Sequence, residues 1–212
     1  MNGRRDLNYF SHRAFLKLDV KRGILRSRGG TRMVGVSEDF LRGFVTACED
    51  EAGSAAPFIL RRCGHFFGSR LARRFETELA EFAGQSIRDR TMNEFDTLVR
   101  DMWHGCGFGE VQIDWSMGTH GFIPVRLTGS PTQDIGPSGH VGEDMFNGIL
   151  EGFFSNFGEG ELRCVQTGDQ RLGDRDGTTF ILAPFDMAKR VESLVAEKTP
   201  HAQILATFCP QN

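Results

Sequence analysis

The chain has 212 residues and a formal net charge of −3 at pH 7, with 39% hydrophobic and 25% charged residues. These values are typical of one globular domain with a hydrophobic core, and the weak negative charge disfavours nucleic acid and anionic membranes as partners. No run approaches the roughly 20 consecutive apolar residues of a membrane-spanning helix, and the first residues lack the apolar segment of a secretory signal. The five cysteines lie mostly in apolar runs, which indicates reduced thiols and a cytoplasmic protein.

The first predicted elements are short. Residues 13–36 contain three β-like pieces separated by glycines, and we expect them to form a small β lead-in. The apolar residues between Ser37 and Gly53 recur at helical spacing, which predicts a first helix over this range. These apolar residues are Leu41, Phe44, Val45 and Cys48.

A second, longer helix is predicted from a cap at Ser54 to a stop at Gly84. Its apolar residues follow one another in steps of three and four, which is typical of a helix face in the core. They are Ile59, Cys63, Phe66 or Phe67, Leu71, Phe75, Leu79 and Phe82. Gly64 and Gly68 lie one turn apart on this helix, where the missing side chains let another backbone approach closely. That backbone belongs either to a helix of the same monomer or to a second protomer, so the two glycines are candidates for a dimer interface.

The rest of the chain mixes helices with antiparallel pairs. Thr91 and Glu94 form a capping box that begins a third helix, and alternating residues predict a hairpin over 111–115 and 123–127. A long loop over 128–142 precedes a fourth helix over 143–157, which is so apolar that it should be sandwiched between other elements. A second hairpin over 161–167 and 178–183 and a short amphipathic helix follow. The order predicts the α+β class, with an antiparallel sheet that carries a layer of helices on one face.

Two pairs of residues offer the ligand types of zinc, Cys63 with His65 and His104 with Cys106. Residues two apart on a helix point about 200° apart, so Cys63 and His65 cannot hold the same ion. We therefore assign no metal to this chain.

Acidic residues on the fourth helix could be read as the paired acids of a glycoside hydrolase. Glu143 and Asp144, however, lie in the first turn, where acidic side chains stabilise the helix dipole, and Glu151 lies about two turns further on. No catalytic residue is assigned, and the sequence favours a domain without catalysis over an enzyme, which would need a cofactor.

Three segments resemble the 4-vinyl reductase domain family: residues 58–68, the glycine turn at 107–109, and the tail over 161–169 with 178–182. This family shares its fold with the TRAPP vesicle-tethering subunits and with haem-based nitric-oxide sensor domains. The resemblance covers about residues 15–183 and implies a regulatory module, often dimeric, that binds a small hydrophobic molecule between helices and sheet. The family's tail typically has a second cysteine where this chain has Arg171, Leu172 and Gly173, so metal or thiol-pair chemistry is not implied here.

A second resemblance is to the D component of bacterial cellulose synthase, a non-catalytic oligomeric family that helps to order extruded glucan chains. It is carried by residues 67–70, 107–109 and 148–154. As the alternative function, it implies an oligomeric accessory protein that orders exported glucan.

The first resemblance implies a ligand pocket lined by aromatic residues of two helices and by one cysteine. The candidate ligand-binding residues are Phe66, Phe67, Phe153, Phe154, Phe157 and Cys164. The same phenylalanines more often form plain core, so both interpretations stay open. A haem would need a ligating histidine, and neither His65 nor His104 lies in a recognisable haem context, so no cofactor is expected.

These observations predict a non-catalytic domain that binds a small hydrophobic molecule or regulates a partner, and that forms a homodimer or larger homo-oligomer. We expect a β lead-in over 1–36 that packs on the domain, a 4-vinyl-reductase-like domain over 37–183, and a C-terminal helix and tail over 184–212.

Overall fold

The computed structural model describes residues 9–11, 15–132, 140–168 and 177–209. The N-terminal region forms a three-stranded antiparallel sheet, the β lead-in sheet, of β1 (Leu16–Asp19), β2 (Ile24–Ser27) and β3 (Arg32–Met33). Three helices follow: α1 (Glu38–Ala52), α2 (Ala56–Ala83) and α3 (Met92–Gly105). The second half contains β4 (Glu110–Ile113), β5 (Ile123–Thr128), α4 (His140–Phe154), β6 (Leu162–Gly168), β7 (Thr178–Pro184), α5 (Phe185–Ala196) and α6 (His201–Phe208).

The main sheet is antiparallel, with the strand order β4-β5-β7-β6. The side chains of 178–183 in β7 are all buried. Since consecutive side chains of a strand point to opposite sides, both faces of β7 are covered. Phe180 and Leu182 join the large core under α2, α3 and α4. The predicted α+β class, with helices packed on an antiparallel sheet, is confirmed.

The opposite face of the main sheet is covered as well. Ile181 and Ala183 of β7 pack with Val191 of α5 and Ile204 of α6 in a separate apolar cluster. The amphipathic pattern predicted α5, but neither α6 nor the face on which the two helices pack was predicted.

Local signals set several element ends. Helix α1 follows Ser37 and ends at Gly53, whose φ of 51° is open to glycine but strained for other residues. At the start of α3 the capping box is complete, because the Thr91 hydroxyl accepts from the Glu94 backbone N–H and the Glu94 carboxylate accepts from that of Thr91. These hydrogen bonds hold the pKa of Glu94 below its usual value.

Other predicted ends were wrong. Ser54 does not cap α2; it lies in a 3-10 turn, Gly53–Ala55, that leads into the helix. Trp115 is not part of the hairpin, since β4 ends at Ile113 and a 3-10 helix follows. Helix α4 begins three residues before the predicted start and ends at Phe154. Much of the predicted loops over 128–142 and 168–177 lies outside the described residues.

The first half of α2 presents a different face to the core from the predicted one. Its buried residues are Ala56, Leu60, Gly64 and Gly68, whereas Ile59 and Phe66 are 41% and 66% exposed. In the second half of α2 the predicted apolar face is correct, because Leu71, Phe75 and Leu79 are buried. The stripe therefore fails where the helix packs through small residues.

The small residues of α2 pack against small residues of α4. A Cβ added to Gly64 or Gly68 would overlap the backbone oxygen of Met145 or Ile149. In the same way, a Cβ on Gly148 or Gly152 of α4 would overlap backbone oxygens of α2. Gly64 and Gly68 thus lie at a helix crossing inside the monomer, and α4 occupies the space that a second protomer would need.

An ion pair fastens the same crossing to the main sheet. The Arg61 guanidinium of α2 pairs with the Glu151 carboxylate of α4 and donates to the Cys164 carbonyl of β6 at 2.6 Å. The Glu151 carboxylate also accepts from the Cys164 backbone N–H at 3.1 Å. Arg61 and Glu151 are both largely buried, so each charge depends on the other.

Among the described residues, none of the helices has the length and apolar character to cross a bilayer.

Candidate ligand-binding site

A cavity of about 700 Å³ lies between the β lead-in sheet, α2, the turn after α3, and α4. Its inner wall is apolar and comes from elements far apart in sequence. The wall residues include Leu71 and Phe75 of α2, Met102 of α3, Phe108 of the following turn, and Phe146 and Ile149 of α4. The cavity is thus formed by packing between elements and not by one continuous motif.

The β lead-in sheet forms the outer cover of this cavity. Leu16 of β1, Leu25 of β2 and Met33 of β3 line it, and the segment 34–36 continues the cover to α1. Antiparallel pairing sets the positions of these side chains, with Leu25 opposite Met33. The lead-in predicted from the sequence therefore contributes directly to the site.

One buried carboxylate fastens this cover to α2. Glu78 is 9% exposed, and it accepts hydrogen bonds from the hydroxyls of Tyr9 at 2.8 Å, Ser27 at 3.0 Å and Thr31 at 2.9 Å. Gly29 packs directly on the Glu78 side chain, where a Cβ would lie 2.6 Å from its Cδ atom. Burial, together with the hydrogen bond to Glu78, raises the pKa of Tyr9. Three separate donors therefore converge on one side chain.

Arg74 and Cys106 add polar groups to the cavity near Glu78. The Arg74 guanidinium carbon lies 5.9 Å from the centroid of the Phe67 ring, and its buried Nε has no hydrogen-bond partner among the described residues. Burial raises the pKa of the Cys106 thiol to about 11, with the Arg74 charge opposing the rise and the Glu78 charge adding to it. At neutral pH the thiol is protonated, so Cys106 presents a weak donor to the cavity.

The chain matches no protein-family model and no curated protein. Two solved structures are similar to it. The phenol-responsive sensory domain of the transcription activator PoxR, determined with phenol, has a TM-score of 0.63 and 16% identity, over 92% of this chain and 96% of that domain. Trafficking protein particle complex subunit 3 from Naegleria fowleri, covalently bound to palmitic acid, has a TM-score of 0.52 and 14% identity, over 69% of this chain and 91% of that one.

The chain has the fold of these two proteins. At such identities the likeness concerns the fold alone, and it agrees with the expected relation to the TRAPP subunits. Membership of the 4-vinyl reductase family, the likeness to the D component of cellulose synthase and the division into segments stay predictions.

The predicted ligand-binding residues are not gathered in this cavity. Phe67 lines it, whereas Phe66 points to solvent from the same helix. The remaining four belong to the core between the helices and the main sheet: Phe153, Phe154, Phe157 and Cys164. Burial raises the pKa of the Cys164 thiol, and its backbone serves the Arg61–Glu151 pair.

The candidate zinc ligands are also apart. Cys63, His65 and His104 are exposed, whereas Cys106 lines the cavity. The described part of the chain contains no group of three or more His, Cys, Asp or Glu side chains that could hold a metal ion.

Sequence reasoning missed the polar residues of the cavity. Arg74 and Glu78 lie four residues apart, on either side of the predicted core residue Phe75. Two charged side chains that flank a core stripe need partners or a cavity, since charged residues are rarely buried alone. This signal was available in the sequence, whereas the hydroxyl donors come from residues 47 to 69 positions away.

Proposed function

We propose that this chain is a non-catalytic sensory or regulatory domain that binds a small hydrophobic molecule in the cavity under the β lead-in sheet. The observation that carries the proposal is the cavity itself, which combines an apolar wall with a few polar groups around Arg74. Small-molecule sites in proteins typically have this composition and a volume of roughly 300–1,000 Å³. On this proposal the lead-in is an integral part of the binding domain.

The volume bounds the size of the ligand. At roughly 30 Å³ for each water-sized group, the cavity has room for on the order of 20 non-hydrogen atoms. The two proteins with the same fold are described with ligands in this range of size, phenol in one and palmitic acid in the other. This agreement supports a hydrophobic ligand and leaves its class to be determined by experiment.

A ligand panel tests the proposal. Phenol, longer alkylphenols, fatty alcohols and fatty acids would be added to purified protein, and unfolding would be followed by intrinsic fluorescence on heating. A molecule that binds the folded state raises the Tm, and the rise grows with the ligand concentration relative to Kd. If every class in the panel leaves the Tm unchanged, the proposal is wrong.

A matched pair of variants places the ligand. Met33→Trp adds a large ring to the cover of the cavity, whereas Met92→Trp makes the same change at an exposed residue outside the cavity lining. Isothermal titration should give at least about tenfold weaker binding for Met33→Trp, since the added ring takes up cavity volume, and unchanged binding for Met92→Trp. Equal affinity in both variants would mean that the ligand binds elsewhere.

We further propose that two copies of the chain associate through exposed phenylalanines of α1 and α2. Phe40, Phe58 and Phe66 are 60%, 73% and 66% exposed, so they present roughly 400 Å² of aromatic surface. This is about half of the 800 Å² that one partner buries in a typical interface, and aromatic residues are enriched at interface centres. A second copy would supply a surface of the same character.

Light scattering during size-exclusion chromatography tests the dimer. The double variant Phe58→Ser, Phe66→Ser should shift the protein from dimer to monomer, while Phe185→Ser, at a half-exposed site on α5, should leave the mass unchanged. A wild-type protein that is monomeric at the highest concentration used would contradict the proposed association.

A further inference from the structure

The charged side chains of the cavity differ in whether other protein groups form hydrogen bonds or ion pairs with them. Four of them line it: Arg32, Glu38, Arg74 and Glu78. The Glu78 carboxylate accepts three hydroxyl donors, and Glu38 accepts from the Arg42 guanidinium at 3.2 Å. Both acidic groups therefore have donors from the protein.

The two arginines are in different positions. Arg32 is exposed, at the edge of the β lead-in sheet, and its guanidinium reaches the Gly23 carbonyl at 3.5 Å. Arg74 lies deeper, and it makes no hydrogen bond or ion pair with any described residue, including Glu78 one turn further along α2. The charge in the cavity that lacks a counter-group is thus positive.

Arg74 is also held in place for recognition. Its guanidinium lies near the Phe67 ring, which favours a cation and limits the side-chain rotamers. A guanidinium has five N–H donors in a planar fork and accepts no hydrogen bonds, and a buried donor without an acceptor is unfavourable. The arrangement therefore leaves donors that a ligand within the cavity can satisfy.

We propose that the ligand of this cavity is an amphipathic carboxylate, whose head group pairs with Arg74 and whose hydrocarbon part contacts the apolar wall. This inference rests on the proposed function and names the ligand class. A carboxylate fits the guanidinium fork with two parallel hydrogen bonds, and such charge-assisted bonds are stronger than those to a neutral hydroxyl. The apolar wall formed by Leu71, Phe146 and Ile149 accepts the hydrocarbon. Arg74 is therefore the residue that sets specificity for acids over neutral compounds of the same length.

Matched ligands and variants test this assignment. Dodecanoate and dodecan-1-ol, each below its aggregation limit, would be titrated calorimetrically into wild-type protein, Arg74→Gln and Arg73→Gln. Arg73 is the exposed neighbour of Arg74 on α2, so its replacement removes the same charge away from the cavity. Wild type and Arg73→Gln should bind dodecanoate at least about tenfold more tightly than the alcohol, whereas Arg74→Gln should lose this preference and keep its affinity for the alcohol.

The outcomes separate this inference from the proposed function. Equal binding of acid and alcohol by the wild type, or an unchanged preference in Arg74→Gln, overturns the assignment of Arg74 while the hydrophobic cavity stands. If the wild type binds neither compound and no other member of the ligand panel, both proposals fail. Should Arg74→Gln not fold, Arg74→Lys keeps the charge without the fork and should bind the acid more weakly than wild type. Competition between dodecanoate and its methyl ester on the wild type tests the preference for the free acid without a variant, and an equal affinity for the two compounds would also overturn the assignment.

Discussion

Replacing Gly64 by alanine tests the backbone contact between α2 and α4. The added methyl group would lie within 3.0 Å of three backbone atoms, those of Met145 and the Ile149 nitrogen. Real Cβ atoms do not approach other atoms so closely, and backbone cannot rotate away as a flexible side chain can. The two helices must therefore separate, and the packing of the whole crossing must change.

The expected magnitude follows from two opposing terms. Alanine gains roughly 0.5–1 kcal/mol over glycine inside a helix. Overpacking a core costs about 1–3 kcal/mol and more where the backbone must move, which is the case here. We expect Gly64→Ala to lower the free energy of unfolding by about 2 kcal/mol, and the Tm by about 4–8 °C for a domain of this size.

Two further variants make the measurement specific. Gly43→Ala lies on α1 with no atom within 4 Å of the added Cβ, so it should raise the free energy of unfolding by roughly 0.5–1 kcal/mol. Gly148→Ala meets α2 from the other side of the crossing, and the double variant with Gly64→Ala should cost less than the sum, because one separation of the helices relieves both clashes. Urea denaturation of the wild type and the four variants measures these changes. A Gly64→Ala protein as stable as Gly43→Ala would refute the close approach of α2 and α4.

Three more predictions concern single residues. Glu78→Gln should lower the free energy of unfolding by about 3 kcal/mol in urea denaturation, because an amide oxygen cannot accept all three hydroxyl donors; a loss below about 1 kcal/mol would contradict the network. Thr91→Ala should cost about 1 kcal/mol through the lost helix cap, and no change in Tm would speak against it. Cys106 should be alkylated by iodoacetamide more slowly than the exposed Cys63, as peptide mass spectrometry can measure, with a rate that rises until the pH nears the thiol pKa of about 11. Equal alkylation rates for both cysteines would contradict the burial of Cys106. Because the thiol of the unfolded chain titrates near its ordinary pKa of 9.0, the free energy of unfolding should also fall as the pH rises from about 9 through about 11.

Much of the fold was predictable because its signals are local. Ser37 and Gly53 set the ends of α1, and Thr91 with Glu94 sets the start of α3, since a helix end is decided by residues within a turn of it. The apolar pattern of β7 likewise marks a strand buried on both faces. These features depend on residues close together in the sequence, so the sequence alone is enough to predict them.

The orientation of α2 was not predictable by the same rules. Hydrophobic periodicity assigns Ile59, Cys63 and either Phe66 or Phe67 to the core, but the helix buries its glycine face there, since direct backbone contact needs small residues. The spacing of Gly64 and Gly68 suggested a close approach, and Gly148 with Gly152 repeats that spacing on the helix that meets them. If the two glycine motifs had been paired, α4 would have been placed on α2, and Phe66 would have been expected to face solvent.

The cavity follows from the same rotation of α2. Once Gly64 and Gly68 face α4, the side chains of Leu71, Arg74 and Glu78, which lie further along the helix, line the cavity that the β lead-in sheet covers. A charged residue stays in such a position when it has partners, and Glu78 obtains its donors from the lead-in. The Arg74 Nε–H donor has no acceptor among the described residues. Glu78 therefore holds the cover, whereas Arg74 remains available to a ligand, and this difference could be seen only after distant segments had been brought together.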